Sequence, residues 1–264
     1  MSASDLTQAQ LAALPRHDGF RLRGVGINRL ETLVYAAFAF ALTLLVISVG
    51  AIPENLQELV AALKQVPALA LSFLMLMVIW RAYALWSERF GLDDAASIWL
   101  SSALMFTVMV YVYPLRAMTV AGASFFTSGW LPSEFQIRSA TDLGGLFATY
   151  GSAFALLAGL MAAHYHLGLR RAGQLQLDAC EQEVARAERG FWLYASAVGL
   201  LSAVAALLLP GYWKTLAPWL YFLIGILGWR LSRRVEAAPL LLAPAADNQQ
   251  RDTPEATADA RRAS

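Results

Sequence analysis

Charge is scarce in this chain of 264 residues: 15% are Asp, Glu, Lys or Arg, and the formal net charge is +1. Soluble domains carry roughly 25% charged residues, so an ordinary soluble globular protein is excluded. The near-neutral balance also excludes a nucleic-acid binder, which needs a basic footprint. The lone cysteine, Cys180, rules out an intrachain disulfide framework and a cysteine-rich metal site. Histidine occurs only at His17, His164 and His166. The last two form an H-Y-H triplet whose two-residue spacing puts them on different helix faces. With no carboxylate in either adjacent turn, an interfacial structural role is expected for them instead of a metal site. Walker A loops, dinucleotide fingerprints and G-x-S-x-G elbows are absent from the sequence. The expectation is a non-enzyme with no catalytic residue, metal or cofactor.

What is abundant is apolar: 58% of residues are hydrophobic and the mean hydropathy is +0.50. A membrane-crossing helix needs about 20 mostly apolar residues. Charge-free windows of 22, 16, 21, 27, 24 and 15 residues lie between Glu31 and Glu54, Lys64 and Arg81, Asp94 and Arg116, Asp142 and Arg170, Arg189 and Lys214, and Lys214 and Arg230. The two short windows can still span, because flanking Lys and Arg snorkel to the headgroups. This predicts an all-α integral membrane protein with six transmembrane helices, at 31–52, 66–87, 95–115, 143–168, 190–210 and 214–232. The stretch 117–133, broken by Gly122, Gly129 and Pro132, is predicted as a long loop with at most a partial helix.

On the six-span count, sixteen Lys and Arg fall on one side of the membrane and four on the other. The positive-inside rule then puts both termini in the cytoplasm. The domain plan is a cytoplasmic arm over 1–27, a transmembrane domain over 28–234 and a disordered tail over 235–264. Residues 170–189 are expected to extend the flanking helices as a solvated charged face carrying Glu181, Glu183 and Glu188. The spans hold no charged midplane site of the kind a coupled transporter needs.

The first span is the most informative. At helical spacing, Ala36, Phe40, Thr43, Ile47 and Gly50 share one stripe. Such a stripe is either a helix-packing face, with Thr43 bonded to a carbonyl one turn back, or the lining of a narrow pore. In the second case Phe40 and Ile47 form dewetting constrictions and Thr43 offers oxygens to a cation.

Arg29 followed by Phe38-Ala39-Phe40-Ala41-Leu42-Thr43-Leu44-Leu45-Val46 resembles the first helix of bacterial relatives of the endosomal/lysosomal potassium channel, the transmembrane protein 175 family. That family carries R-x-x-x-F-S-D and then a run like G-V-F-A-I-A-I-T-L-L-V. Ser72-Phe73-Leu74, Trp80, Pro114 (where the family ends its third helix) and Tyr150-Gly151 add weaker similarity across 28–232. The resemblance implies a homotetramer in a bacterial inner membrane, permeable to K⁺, with the first helix lining the pore and Phe40, Thr43 and Ile47 as its layers. The chain departs from the signature: Leu33-Val34-Tyr35 replaces F-S-D, and Tyr83-Ala84 stands where the family has a His. The family's polar network is therefore expected to be replaced, through a Tyr35–Tyr83 contact or a Glu31–Arg81 pair beside Arg29. Two readings stay open: a potassium-permeable channel, or a non-conducting structural or regulatory protein of the same descent.

Overall fold

The computed structural model describes residues 11–228, apart from 12, 18, 25, 51, 134 and 136. A two-stranded antiparallel hairpin, β1 (Arg16–His17) and β2 (Phe20–Arg21), precedes five long helices: α1 Arg29–Ile47, α2 Leu56–Phe90, α3 Ala95–Phe126, α4 Ala140–Arg170 and α5 Ala179–Leu208. A 3-10 segment, Gly211–Tyr221, follows and continues as α-helix over 222–228. All five α-helices are long and apolar enough to cross a membrane.

Each helix starts on a polar residue that satisfies its free backbone N–H groups. Asn28, Ser139 and Asp178 form reciprocal capping boxes with Glu31, Asp142 and Glu181; Asn55 and Asp94 cap α2 and α3. Helix α2 ends on Gly91, whose φ of 57° lies in the left-handed region that glycine adopts without strain. With 35 residues, α2 is about 52 Å long at ~1.5 Å per residue. It therefore overshoots a hydrocarbon core of ~30 Å.

Helix α3 corrects the sequence reading. It passes through Pro114 and ends at Phe126, so the first ten residues of the expected 117–133 loop are helical. Proline removes one intrahelical bond, but packing against α2 holds the next turn. Arg116 donates to Gln65 Oε1 at 2.5 Å, and the hydroxyls of Ser72 and Thr119 lie 2.6 Å apart, all four residues buried. Tertiary polar contacts thus override the local stop signal.

Helices α4 and α5 run antiparallel and approach closely, for which Gly151 and Gly199 are required. A Cβ on Gly151 would lie 2.8 Å from the Gly199 carbonyl, and one on Gly199 would lie 3.1 Å from Ala155 N. The buried core joins α1 (Val34, Phe38, Ala41, Leu45) to Leu76 and Tyr83 of α2, Leu104 and Tyr111 of α3, and Leu157 and Met161 of α4. The far end of the expected sixth span and the expected tail over 235–264 lie outside the described residues.

Candidate functional site

Helix α1 has two unlike faces. Val34, Phe38, Ala41 and Leu45 pack into the core. Ala36, Phe40, Thr43 and Ile47 of the stripe found by periodicity face outward, with Phe40 53% and Ile47 65% exposed; Gly50, also expected on it, lies beyond the end of the helix with φ 115°, so helical spacing no longer places it there. The Thr43 hydroxyl donates to the Ala39 carbonyl at 3.0 Å. Its proton is thus used within the helix, which leaves the oxygen lone pairs on the exposed face. An oxygen presented as an acceptor between two large apolar side chains suits a partly dehydrated cation.

The groups behind α1 differ from the replacement network expected from sequence. Glu31 is buried and accepts from the backbone N–H of Asn28, closing the helix cap. Arg81 pairs with Glu88 at 3.3 Å instead of with Glu31. Tyr35 rests its ring edge-on against Trp80 with centroids 5.8 Å apart, and Arg29 is exposed in the first turn. The Tyr83 hydroxyl lies 3.2 Å from Ser101, whose hydroxyl lies 3.2 Å from His164 Nε2.

His164 is thus fully buried in the protein interior, whereas His166 of the same triplet is exposed. Its Nδ1 lies 2.8 Å from the Leu160 carbonyl, which can only accept, so Nδ1 carries the proton and Nε2 accepts from Ser101. Ser101 in turn accepts from Tyr83. Trp86 Nε1 donates to the His164 carbonyl at 2.9 Å, and its ring packs edge-on against the imidazole. The chain links α2, α3 and α4 behind α1. Sequence reasoning missed it because it looked for the imidazole on α2, whereas α4 supplies it.

At the start of α1 the chain is clamped. Both oxygens of the fully buried Glu181 carboxylate are engaged by Arg21 and Arg23: Arg21 N donates at 2.8 Å, and Arg23 Nη1 and Nη2 donate at 3.0 and 2.9 Å. Burial works against the charge on Arg21, but Glu181 outweighs it and holds the guanidinium pKa above its ordinary value. Phe20 is buried against Phe90, with the Arg89 guanidinium over its ring at 5.4 Å. The expected solvated face at 170–189 is thus in part an anchor: Glu181 holds the arm, and Glu188 pairs with Arg89 at 3.5 Å. Among the described residues there is no group of three or more His, Cys, Asp or Glu that could hold a metal.

Three comparisons bear on this geometry. Residues 29–114, which span α1, α2 and α3 up to Pro114, match the family described as endosomal/lysosomal potassium channel TMEM175. A protein of Marivirga tractuosa named potassium channel is 32% identical over 213 residues, covering 77% of this chain and 85% of that protein. A crystal structure of the potassium channel MtTMEM175, a threonine-to-alanine variant in complex with a nanobody–MBP fusion protein, matches with a TM-score of 0.73. It is 26% identical and covers 83% of this chain and 98% of that one.

Proposed function

The chain belongs to the endosomal/lysosomal potassium channel TMEM175 family, and from that premise we infer that it forms a potassium-permeable channel whose pore is lined by α1. The chain is an integral membrane protein with an all-α fold and is not an enzyme. In the proposed arrangement six spans place both termini in the cytoplasm of a bacterial inner membrane, the sixth being the segment that begins at Gly211. Four copies surround a common axis with their α1 stripes inward. Phe40 and Ile47 form apolar constrictions, and Thr43 supplies the oxygen layer between them.

The observation that carries this reading is the bare face of α1. A helix packed on one side presents a contiguous apolar stripe with one hydroxyl on the other. Within one copy nothing among the described residues covers it. Facing an axis of symmetry, it becomes a narrow pore with a single polar step. One threonine layer offers few oxygens, so K⁺ is preferred over Na⁺ only modestly. The experiment is ion flux in liposomes holding the purified protein. Phe40→Ala raises K⁺ flux on the order of tenfold, equivalent to lowering the barrier by about 1.4 kcal/mol. Thr43→Ala changes the K⁺ to Na⁺ ratio. Wild-type protein that is folded and oligomeric yet silent, together with a silent Phe40→Ala, would overturn the channel in favour of a non-conducting scaffold.

A further inference from the structure

At the end of the bundle where the positive-inside count puts the cytoplasm, α4 and α5 present cations outward on one seam. Arg189 Nη1 lies 3.4 Å from His166 Nδ1. The imidazole accepts there, which leaves its Nε2–H as a further donor. One turn beyond His166 on the same face of α4 stands Arg170, exposed at the end of the helix. Arg170 and Arg189 have no carboxylate within ion-pair distance among the described residues, whereas Arg186 is paired with Glu183 at 2.5 Å. Arg189 Nε is in addition shielded from solvent with no hydrogen-bond partner. A buried N–H left without an acceptor is costly, and an anionic oxygen on the seam would relieve that cost.

The position of the seam says which anion. Toward the membrane interior from Arg189 and His166 the same two faces turn apolar: Leu193 and Leu200 on α5 and Leu156 on α4 are each more than half exposed. Gly159, without a side chain, leaves room on α4 beside Ser196 of α5, whose Oγ would lie 3.4 Å from a Cβ placed there. A phosphate with acyl chains attached matches both halves. We propose that the α4–α5 seam binds an anionic phospholipid, its headgroup phosphate held by Arg170, Arg189 and His166 and its chain laid along Gly159. The inference rests on the membrane reading alone, and lipid binding can be measured whether or not the protein conducts.

The test is native mass spectrometry of the delipidated full-length protein titrated with phosphatidylglycerol. Phosphatidylcholine of the same acyl chains is the neutral comparison, and inorganic phosphate is the soluble one. Phosphatidylglycerol is expected to bind in preference to phosphatidylcholine. Arg170→Gln with Arg189→Gln lowers its affinity on the order of 20-fold, about fivefold per arginine. Arg170→Lys with Arg189→Lys keeps most of the affinity and shows that the surface tolerates replacement. Arg16→Gln, an equal loss of charge on the arm, changes affinity less than about twofold. Equal binding of the two lipids, an equal loss in Arg16→Gln, an equal loss in the lysine pair, or displacement by inorganic phosphate at matched concentration would each overturn the proposal.

Discussion

Between Phe20 and Ile47 the chain passes from one extreme of partnering to the other. At the arm, Glu181, Arg21, Arg23 and Phe20 leave almost nothing to solvent. A few residues later, Phe40, Val46 and Ile47 are each more than half exposed. The arm is completed by residues about 160 positions away in the same chain; the outward face of α1 is covered by nothing among the described residues. The first region holds the protomer together, and the second is held ready for what lies outside it. Substitutions in the two regions should therefore separate. Changes in the arm move stability, and changes on the stripe move flux with little effect on the fold.

The largest effect is expected where the saturation is greatest. Glu181→Ala leaves two guanidinium groups at the arm without their carboxylate, and breaking a buried pair by removing one partner costs about 3–5 kcal/mol. Thermal unfolding of the full chain in detergent, followed by tryptophan fluorescence, should show it as a large fall in midpoint. A midpoint close to that of Thr43→Ala would erase the contrast between arm and stripe. Next comes the interior chain behind α1. Ser101→Ala strands the Tyr83 hydroxyl and His164 Nε2 in a buried site, at about 1–3 kcal/mol. Ser101→Thr keeps a hydroxyl there and should recover part of the loss. Equal losses from Ala and Thr would mean that packing volume, and not the hydrogen bonds, matters at Ser101.

A smaller effect follows pH. Asp94 caps α3 and pairs with Arg171. Burial disfavours its charged form, but the bonds from Ser97 and the charge of Arg171 outweigh that and hold its pKa below the usual carboxylate value. A carboxylate whose folded pKa is depressed contributes stability that is present above its unfolded value and is lost as pH falls through the folded value. Wild-type stability should therefore decline as pH drops below about 4. Asp94→Asn keeps the cap but removes the charge, so its decline should be shallower by about 0.5 kcal/mol once solvent screening of this part-exposed pair is allowed for. Parallel acid profiles would assign the decline to other carboxylates.

How much of this was legible in the sequence follows from the range of the forces. The spans follow from runs of apolar residues between charges, a local property of composition, and all five long helices fall on predicted windows. The α1 stripe was legible because helical periodicity is local as well, and its outward orientation in the structure agrees with that spacing. The end of α3 was not, because contacts from α2 to Arg116 and Thr119 decide whether the chain stays helical after Pro114. Nor was the arm, since the charged segment 170–189 looks solvated until Arg21 and Arg23 arrive from the far end of the chain. The partners of His164 were not legible either: the sequence shows only its place near the end of a predicted span, whereas Trp86 and Ser101, which bond to it, lie on other helices.

The smallest effect separates the expected ion pair from the one observed. The sequence allowed Glu31 to pair with Arg81, but Glu31 is occupied by the backbone of Asn28 and Arg81 reaches Glu88. The Arg81 and Glu88 side chains are 52% and 37% exposed. Pairs this open are screened and repay little of the side-chain entropy they fix, so the coupling should be at most about 0.5 kcal/mol. In double-mutant cycles read by thermal unfolding, Arg81→Gln and Glu88→Gln should couple by that small amount, and Arg81→Gln and Glu31→Gln should be additive. Glu31→Gln alone should cost no more than about 1 kcal/mol, since glutamine can still complete the cap. A coupling between Glu31 and Arg81 larger than that between Arg81 and Glu88 would mean that the two meet in the assembled protein. In that case Glu31 would act as a link to α2 as well as a helix cap.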